Sequence, residues 1–188
     1  MMIKIGITGS IASGKTTVAR LLSGQKYPLF NADKEVRKIY KNNFFRKKIC
    51  KKFKIKNKKN LKKEIKKIIS ANKKSLKYLE KVIHPLVRKA HIRFCVINKK
   101  RNFLFFEVPL LIEGKLMRNY DKIIFVNSKK SLRLKRYLKR GKNRKFFNLL
   151  DKRQLAPEKK IKHSDFVINN NGSLTNLKKI IKIIKTKL

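Results

Sequence analysis

The sequence predicts a three-layer α/β fold with a mostly parallel central sheet, and three observations carry that reading. Short apolar runs alternate with stretches of helical periodicity along the chain, the pattern of repeated strand-helix units. The first run ends in a glycine-bounded turn that opens directly into a helical pattern. The most apolar stretch, residues 103–108, is bounded by Asn102 and Pro109, as a central strand covered on both faces should be.

In chain order, Ile3, Ile5 and Ile7 alternate with Lys4 and Gly6 to give a first strand, and residues 17–22 begin a helix. A second short strand at 27–30 stops at Asn31-Ala32-Asp33, before a helix starting near Glu35. From residue 44 to 90 apolar side chains fall at helical spacing, as in Leu61, Ile65, Ile68 and Ile69, and again in Leu76, Leu79, Ile83 and Val87. This predicts a helical lobe, about 44–92, inserted between strands. Asn57 to Asn60 is the expected loop within it, and Pro85, which lacks a backbone donor, is expected to bend or restart its last helix. Further strands are expected at 103–108, 122–126 and 166–168, with helices at 128–139, 145–155 and 174–185. No internal repeat or linker divides the chain, so residues 1–188 are expected to form one domain with appended lobes.

The formal charge is +44, from 54 Lys and Arg against 10 Asp and Glu. Such an excess suggests a polyanionic partner, but the lysines are dispersed and accompany heavy use of Asn and Ile. Coding bias on solvated surfaces therefore accounts for them better than a nucleic-acid face, and no specific nucleic acid is expected. Apolar residues still make up 41% of the chain, enough for a core, so the mean hydropathy of -0.47 reflects lysine. Cys50 and Cys95 are isolated and lack zinc-ligand spacing. With Gly6, Thr8, Gly9 and Ser10 interrupting the first apolar run, neither a signal peptide nor a membrane segment is expected, and the cytoplasm is the expected location.

Gly9-Ser10-Ile11-Ala12-Ser13-Gly14-Lys15-Thr16 matches the phosphate-binding pattern G-x-x-x-x-G-K-[ST] between a strand and a helix. Glycines let backbone N–H groups turn inward around phosphate oxygens, and the helix N-terminus adds its positive end. Lys15 is expected to reach the β- and γ-phosphates of ATP, and the Thr16 hydroxyl to ligate magnesium. The fold is therefore expected to be a P-loop NTPase fold carrying a helical substrate lobe and a lid, the latter at about 136–158.

Asp33 stands beyond a strand end, where ligands of open α/β sheets bind. It could orient or deprotonate a substrate hydroxyl, or equally cap the helix near Glu35. Arg136 and Arg140, four apart on an expected helix with Arg133 one turn back, could clamp a triphosphate or decorate the surface. Glu107, at the end of the apolar strand, could hold magnesium through water or pair with a nearby lysine. His84 has no second ligand at metal spacing, which leaves it packing or substrate hydrogen bonding.

Taken in order, these elements resemble the dephospho-CoA kinase family over nearly the whole chain. The resemblance is carried by Ile7-Thr-Gly-Ser-Ile-Ala-Ser-Gly-Lys-Thr-Thr17, Asn31-Ala-Asp33 with Arg37, Ile83-His84-Pro85-Leu-Val87, Val108-Pro-Leu-Leu-Ile-Glu113, Leu134-Lys-Arg136 with Arg140, Arg153-Gln154 and Asp165-Phe-Val-Ile-Asn-Asn-Asn-Gly172. It implies ATP-dependent phosphorylation of the ribose 3′-hydroxyl of dephospho-CoA, with Asp33 as base or orienting group. Arg136 and Arg140 become lid arginines, and residues 169–172, including Asn170 and Gly172, lie near adenine. Thr17 joins the ATP site, while Arg37, His84 and Glu113 belong to substrate binding. A monomer or weak homo-oligomer is expected.

Three positions depart from the family pattern. Ser10 and Ala12 replace common glycines, which is acceptable only if neither position requires a positive φ. Asn31 replaces an acid, whose contribution is expected to be missing. The rivals are another small P-loop kinase, acting on a nucleotide or small hydroxyl compound, and a nucleic-acid-binding P-loop protein.

Overall fold

The computed structural model describes residues 2–56 and 60–188, so the expected loop at Asn57, Lys58 and Lys59 lies outside the described residues. The chain forms two compact units, one of residues 1–31 and 98–188 and one of residues 32–97.

The first unit is built on five parallel strands in the order β2-β3-β1-β4-β5. These are β1 (Ile3–Gly9), β2 (Leu29–Asn31), β3 (Phe103–Glu107), β4 (Lys122–Asn127) and β5 (Phe166–Asn169). β1 is central, pairing with β3 on one side and β4 on the other. Ile5 and Ile7 are fully buried in a core shared with Val18, Ala19, Leu22, Phe105, Ile124 and Val126. The opposite face of β1 is covered as well. A Cβ on Gly6 would meet Leu111 at 2.6 Å and the Tyr120 ring at 3.0 Å, so glycine is what lets those side chains close over the strand. Burial on both faces explains why these strands read as apolar runs.

Helices α1 (Lys15–Ser23) and α9 (Leu174–Lys185) contribute to the same core, the latter through Leu177, Ile181 and Ile184. The arm after β4 consists of α6 (Lys130–Leu138), α7 (Arg144–Lys152) and α8 (Pro157–Ile161). α7 ends short of the expected 155. The sequence reading missed α8, although Pro157 at its start and Glu158 in its first turn are usual start signals.

The second unit contains α2 (Ala32–Ile39), α3 (Asn43–Phe53), α4 (Leu61–Ala71) and α5 (Lys73–Ile97). Phe45, Ile49, Leu61, Ile65, Leu79 and Ile83 form its own core. Pro85 does not restart α5, which continues through it for 25 residues. The proline removes the donor owed to the Lys81 carbonyl, but both residues are exposed and water can take that place. No helix among the described residues is long and apolar enough to cross a membrane.

One buried ion pair ties α8 to the segment after β3. Lys160 is fully buried, and its Nζ lies 2.6 Å from Glu113 Oε1 and 6.0 Å from the centroid of the Phe125 ring. The pair is a charge contact outside hydrogen-bond geometry, so its Coulombic term carries it. Replacing Glu113 by Ala would leave a buried ammonium uncompensated and is expected to cost about 3–5 kcal/mol of stability. Chemical denaturation checks this, with Lys160→Met added to Glu113→Ala expected to recover much of the loss. Strictly additive losses would show that the pair is not the cause.

Candidate active site

The residue 9–16 loop leaves β1 and returns into α1. Ser13 N donates to Ser10 O at 3.1 Å, closing the turn, and Val18 N donates to Gly14 O at 3.0 Å at the start of the helix. Gly14 is left-handed at φ 98°, and a Cβ there would fall 2.3 Å from Asn170 Nδ2. Glycine is required on both counts. Lys15 Nζ donates to the carbonyls of Gly9 and Ser10 at 2.9 and 3.0 Å. Ser13 Oγ is buried and has no hydrogen-bond partner among the described residues.

Of the two replaced glycines, Ser10 keeps a negative φ, whereas Ala12 sits at φ 57°. The condition for both replacements, that neither position requires a positive φ, is met at Ser10 and not at Ala12. A Cβ in the left-handed region crowds its own carbonyl, at roughly 1–2 kcal/mol, so something outside the residue must hold it there.

Glu107 is buried at the C-terminal end of β3, its register placing it between Ile7 of β1 and Asn31 of β2. The Thr16 hydroxyl donates to its Oε1 at 2.5 Å. The Asn31 side-chain amide donates to its Oε2. Asn31 therefore contributes, in a way the sequence reading did not foresee. It is a neutral donor where an acid would press a second carboxylate against Glu107. A hydroxyl and a carboxylate side by side at the loop's exit are hard oxygen donors of the kind magnesium accepts beside nucleotide phosphates. Among the described residues no three His, Cys, Asp or Glu side chains gather as a metal cage.

The β5–α9 connection is pinned at each asparagine. Asn127 Nδ2 donates to Asn169 Oδ1 at 3.0 Å, Asn170 Nδ2 to Ser13 O at 2.8 Å, and Lys129 N to Asn171 Oδ1 at 2.8 Å. Gly172 is exposed just beyond them.

The three arginines of the arm separate. Arg133 is 5% exposed, its Nη1 2.5 Å from Asp151 Oδ1 and its Nε donating to Ser128 O at 3.1 Å. It is an internal strut, not part of an arginine face. Arg136 donates to Ser128 Oγ at 3.1 Å and to Asn170 O at 3.0 Å. Arg140 is exposed and lies beyond α6, in the turn that leads to Gly141 at φ 68°. The expectation that it shares the helix with Arg136 is corrected, because the glycine turn ends α6 at Leu138. Phe147, Tyr137 and Ala12 pack together with Ile11, Leu134 and Phe146. Burial raises the Tyr137 phenol above its ordinary 10.0. Gln154 Oε1 accepts from Ile11 N at 2.8 Å, a contact the sequence reading missed although it noted the Arg153-Gln154 pair. Glu113, besides Lys160, accepts from Leu155 N at 3.2 Å, and its Oε2 is buried without a hydrogen-bond partner among the described residues.

The remaining expected residues belong to the helical unit. α2 begins at Ala32, directly after β2, so Asp33 lies inside its first turn and is exposed. This corrects the capping alternative, since no helix starts at Glu35 for Asp33 to cap. Arg37 is exposed one turn later, on the same face as Asp33. His84 is exposed in α5, immediately before Pro85.

The family model of dephospho-CoA kinase matches residues 3–176. The dephospho-CoA kinase of Fusobacterium nucleatum subsp. nucleatum is 36% identical over 188 residues, covering 97% of each chain. Among solved structures, the Thermus thermophilus protein TT1252 superposes with a TM-score of 0.85 at 28% identity, over 100% of this chain and 98% of that one. Dephospho-CoA kinase from Campylobacter jejuni gives 0.74 at 28% identity, over 100% and 97%. A phosphate loop with its lysine, hydroxyl and acid in place, joined to a match over almost the full length, leaves one conclusion: the chain belongs to the dephospho-CoA kinase family, the ATP-using kinases that phosphorylate dephospho-CoA to coenzyme A.

Proposed function

We propose that residues 9–17, with Arg136, Arg140, Asn170 and Gly172, form the ATP site, and that Asp33, Arg37, His84 and Glu113 serve dephospho-CoA. The observation that carries the donor half is the Thr16 hydroxyl bonded to Glu107 beside a glycine-bounded loop at a helix N-terminus. The loop's N–H groups and Lys15 hold the β- and γ-phosphates, and the residues around Asn170 and Gly172 face adenine.

In the reaction the substrate ribose 3′-oxygen forms a bond to the γ-phosphorus as the bond to the β,γ-bridging oxygen breaks, releasing ADP. Asp33 orients the 3′-hydroxyl and accepts its proton, while Lys15 and Arg140 balance charge on the transferring group. Thr16, and Glu107 through water, would hold a magnesium ion, which would supply positive charge to offset that of the phosphates. Residues 136–158 act as a lid that excludes water, with Arg140 at its exposed turn. The helical segment 44–92 receives the pantetheine-bearing substrate. We place the protein in the cytoplasm, as a monomer or weak homo-oligomer. Cys50 and Cys95, which are not joined in a disulfide, suit a reducing compartment.

Three outcomes test this assignment. An ADP-release assay offering dephospho-CoA beside AMP, cytidylate and shikimate should give turnover with dephospho-CoA alone, and a better rate with another acceptor would sink the assignment. Asp33→Asn should lower kcat about a hundredfold or more while ATP affinity changes little; a near-wild-type rate removes Asp33 from the chemistry. In Glu107→Gln the magnesium concentration for half-maximal rate should rise severalfold, and an unchanged magnesium titration would dismiss Glu107 as a metal-side group.

A further inference from the structure

Ile11 stands in the middle of the phosphate loop, and both of its backbone polar groups are met by side chains of the arm. Its N–H donates to Gln154 Oε1 at 2.8 Å, and its carbonyl is approached by Arg133 Nη1 at 3.5 Å. Neither partner hangs free. Arg133 is buried and held by Asp151 of α7 and by the Ser128 carbonyl. Gln154, two residues beyond the end of α7, is half-buried, and its own N–H donates to Asp151 O at 3.1 Å.

The next residue is Ala12, at φ 57°. Glycine reaches this conformation without cost, whereas alanine returns to negative φ when nothing prevents it. Rotation at Ala12 would swing the peptides on either side of it and turn loop N–H groups away from the phosphates. Ala12 is also packed against Tyr137 and Phe147, so its methyl is seated by the same arm that holds Ile11.

We propose that Gln154 is a positioning residue for phosphoryl transfer. By accepting the Ile11 N–H it holds the 10–11 peptide, as Arg133 holds the 11–12 peptide at the Ile11 carbonyl, and with Ile11 fixed at both ends the left-handed Ala12 stays in the shape that presents the loop to ATP. The clamp does from outside what a glycine at position 12 would make unnecessary. This rests on the reading of residues 9–17 as the ATP site.

The experiment compares wild type, Gln154→Met, Ala12→Gly and the double variant. The readouts are ATP KM, dephospho-CoA KM, kcat and the affinity for a fluorescent ATP analogue. Gln154→Met keeps the bulk of the side chain and removes the acceptor. It should raise ATP KM and weaken analogue binding five- to tenfold, the effect of one partly buried neutral hydrogen bond, and leave dephospho-CoA KM within twofold. In the Ala12→Gly background the same replacement should cost less than twofold, because glycine keeps the left-handed conformation unaided. An arm that served only stability would lower the melting temperature equally in both backgrounds and spare the ATP KM. The proposal is overturned if Gln154→Met leaves ATP KM unchanged, or if its cost is as large with Ala12→Gly as without it. Should Gln154→Met fail to fold, Gln154→Ala supplies the same comparison. Lys15→Ala separates the two levels: retained analogue binding there refutes the ATP-site reading whatever Gln154 does.

Discussion

A loop that offers most of its N–H groups to phosphate can use few of them on itself, here the Ser13 N–H to Ser10 O, so the rest of its shape is imposed by its surroundings. Here that imposition comes from two sides. Asn170 grips the Ser13 carbonyl from the β5–α9 connection, so close to Gly14 that no other residue fits there. Gln154 accepts the Ile11 N–H from the arm, where Arg133 and Asp151 lock α6 to α7. Arg136 joins the two sides by donating to both Ser128 and the Asn170 carbonyl. Phosphate loop, connection and arm thus form one hydrogen-bonded body, and a disturbance in any part reaches the loop.

The scarcity of acids gives each one weight. With 10 carboxylate side chains against 54 cationic ones, the chain has little negative charge to spend on the surface. Within the sheet-bearing unit, Asp121 and Asp165 accept from the backbone N–H groups of Lys4 and Ile123 at the starts of β1 and β4. Asp151 neutralises the buried Arg133, and Glu113 the buried Lys160. Glu107 meets Thr16 and Asn31 at the C-terminal end of β3. Exposed ion pairs such as Lys38 with Glu35 add little by comparison. The large positive charge is a property of the solvated surface. It can speed the arrival of two phosphate-bearing substrates, an effect that salt screens.

Much of the fold was open to reading because its signals are local. Ile3, Ile5 and Ile7, the phosphate loop and the run from Phe103 each carry strand or turn chemistry within a few residues, and all lie where expected. The family-like elements around His84, Glu113 and Gly172 extended that reading to a substrate class. Less legible were the edges. α2 starts at Ala32 because β2 passes straight into it, and α6 stops before Arg140 because Gly141 turns the chain. The first boundary carries no cap signal in the sequence, whereas the second has one in Gly141, a usual helix-ending residue.

The sequence by itself determined the order of strands and helices, the phosphate-binding pattern and the family, since these depend on residue type at short spacing. Tertiary structure alone decided what the side chains do at long range. It turned Asn31 from a lost acid into a donor to Glu107, and sent Arg133 inward to Asp151 while Arg136 reached Asn170. It also bent Ala12 into a glycine-like conformation beside Ile11, whose N–H is held by Gln154, 143 residues beyond Ile11. The physical reason is that a hydrogen bond depends on where two groups meet in space, and residues this far apart in sequence leave no periodicity from which that meeting could be read.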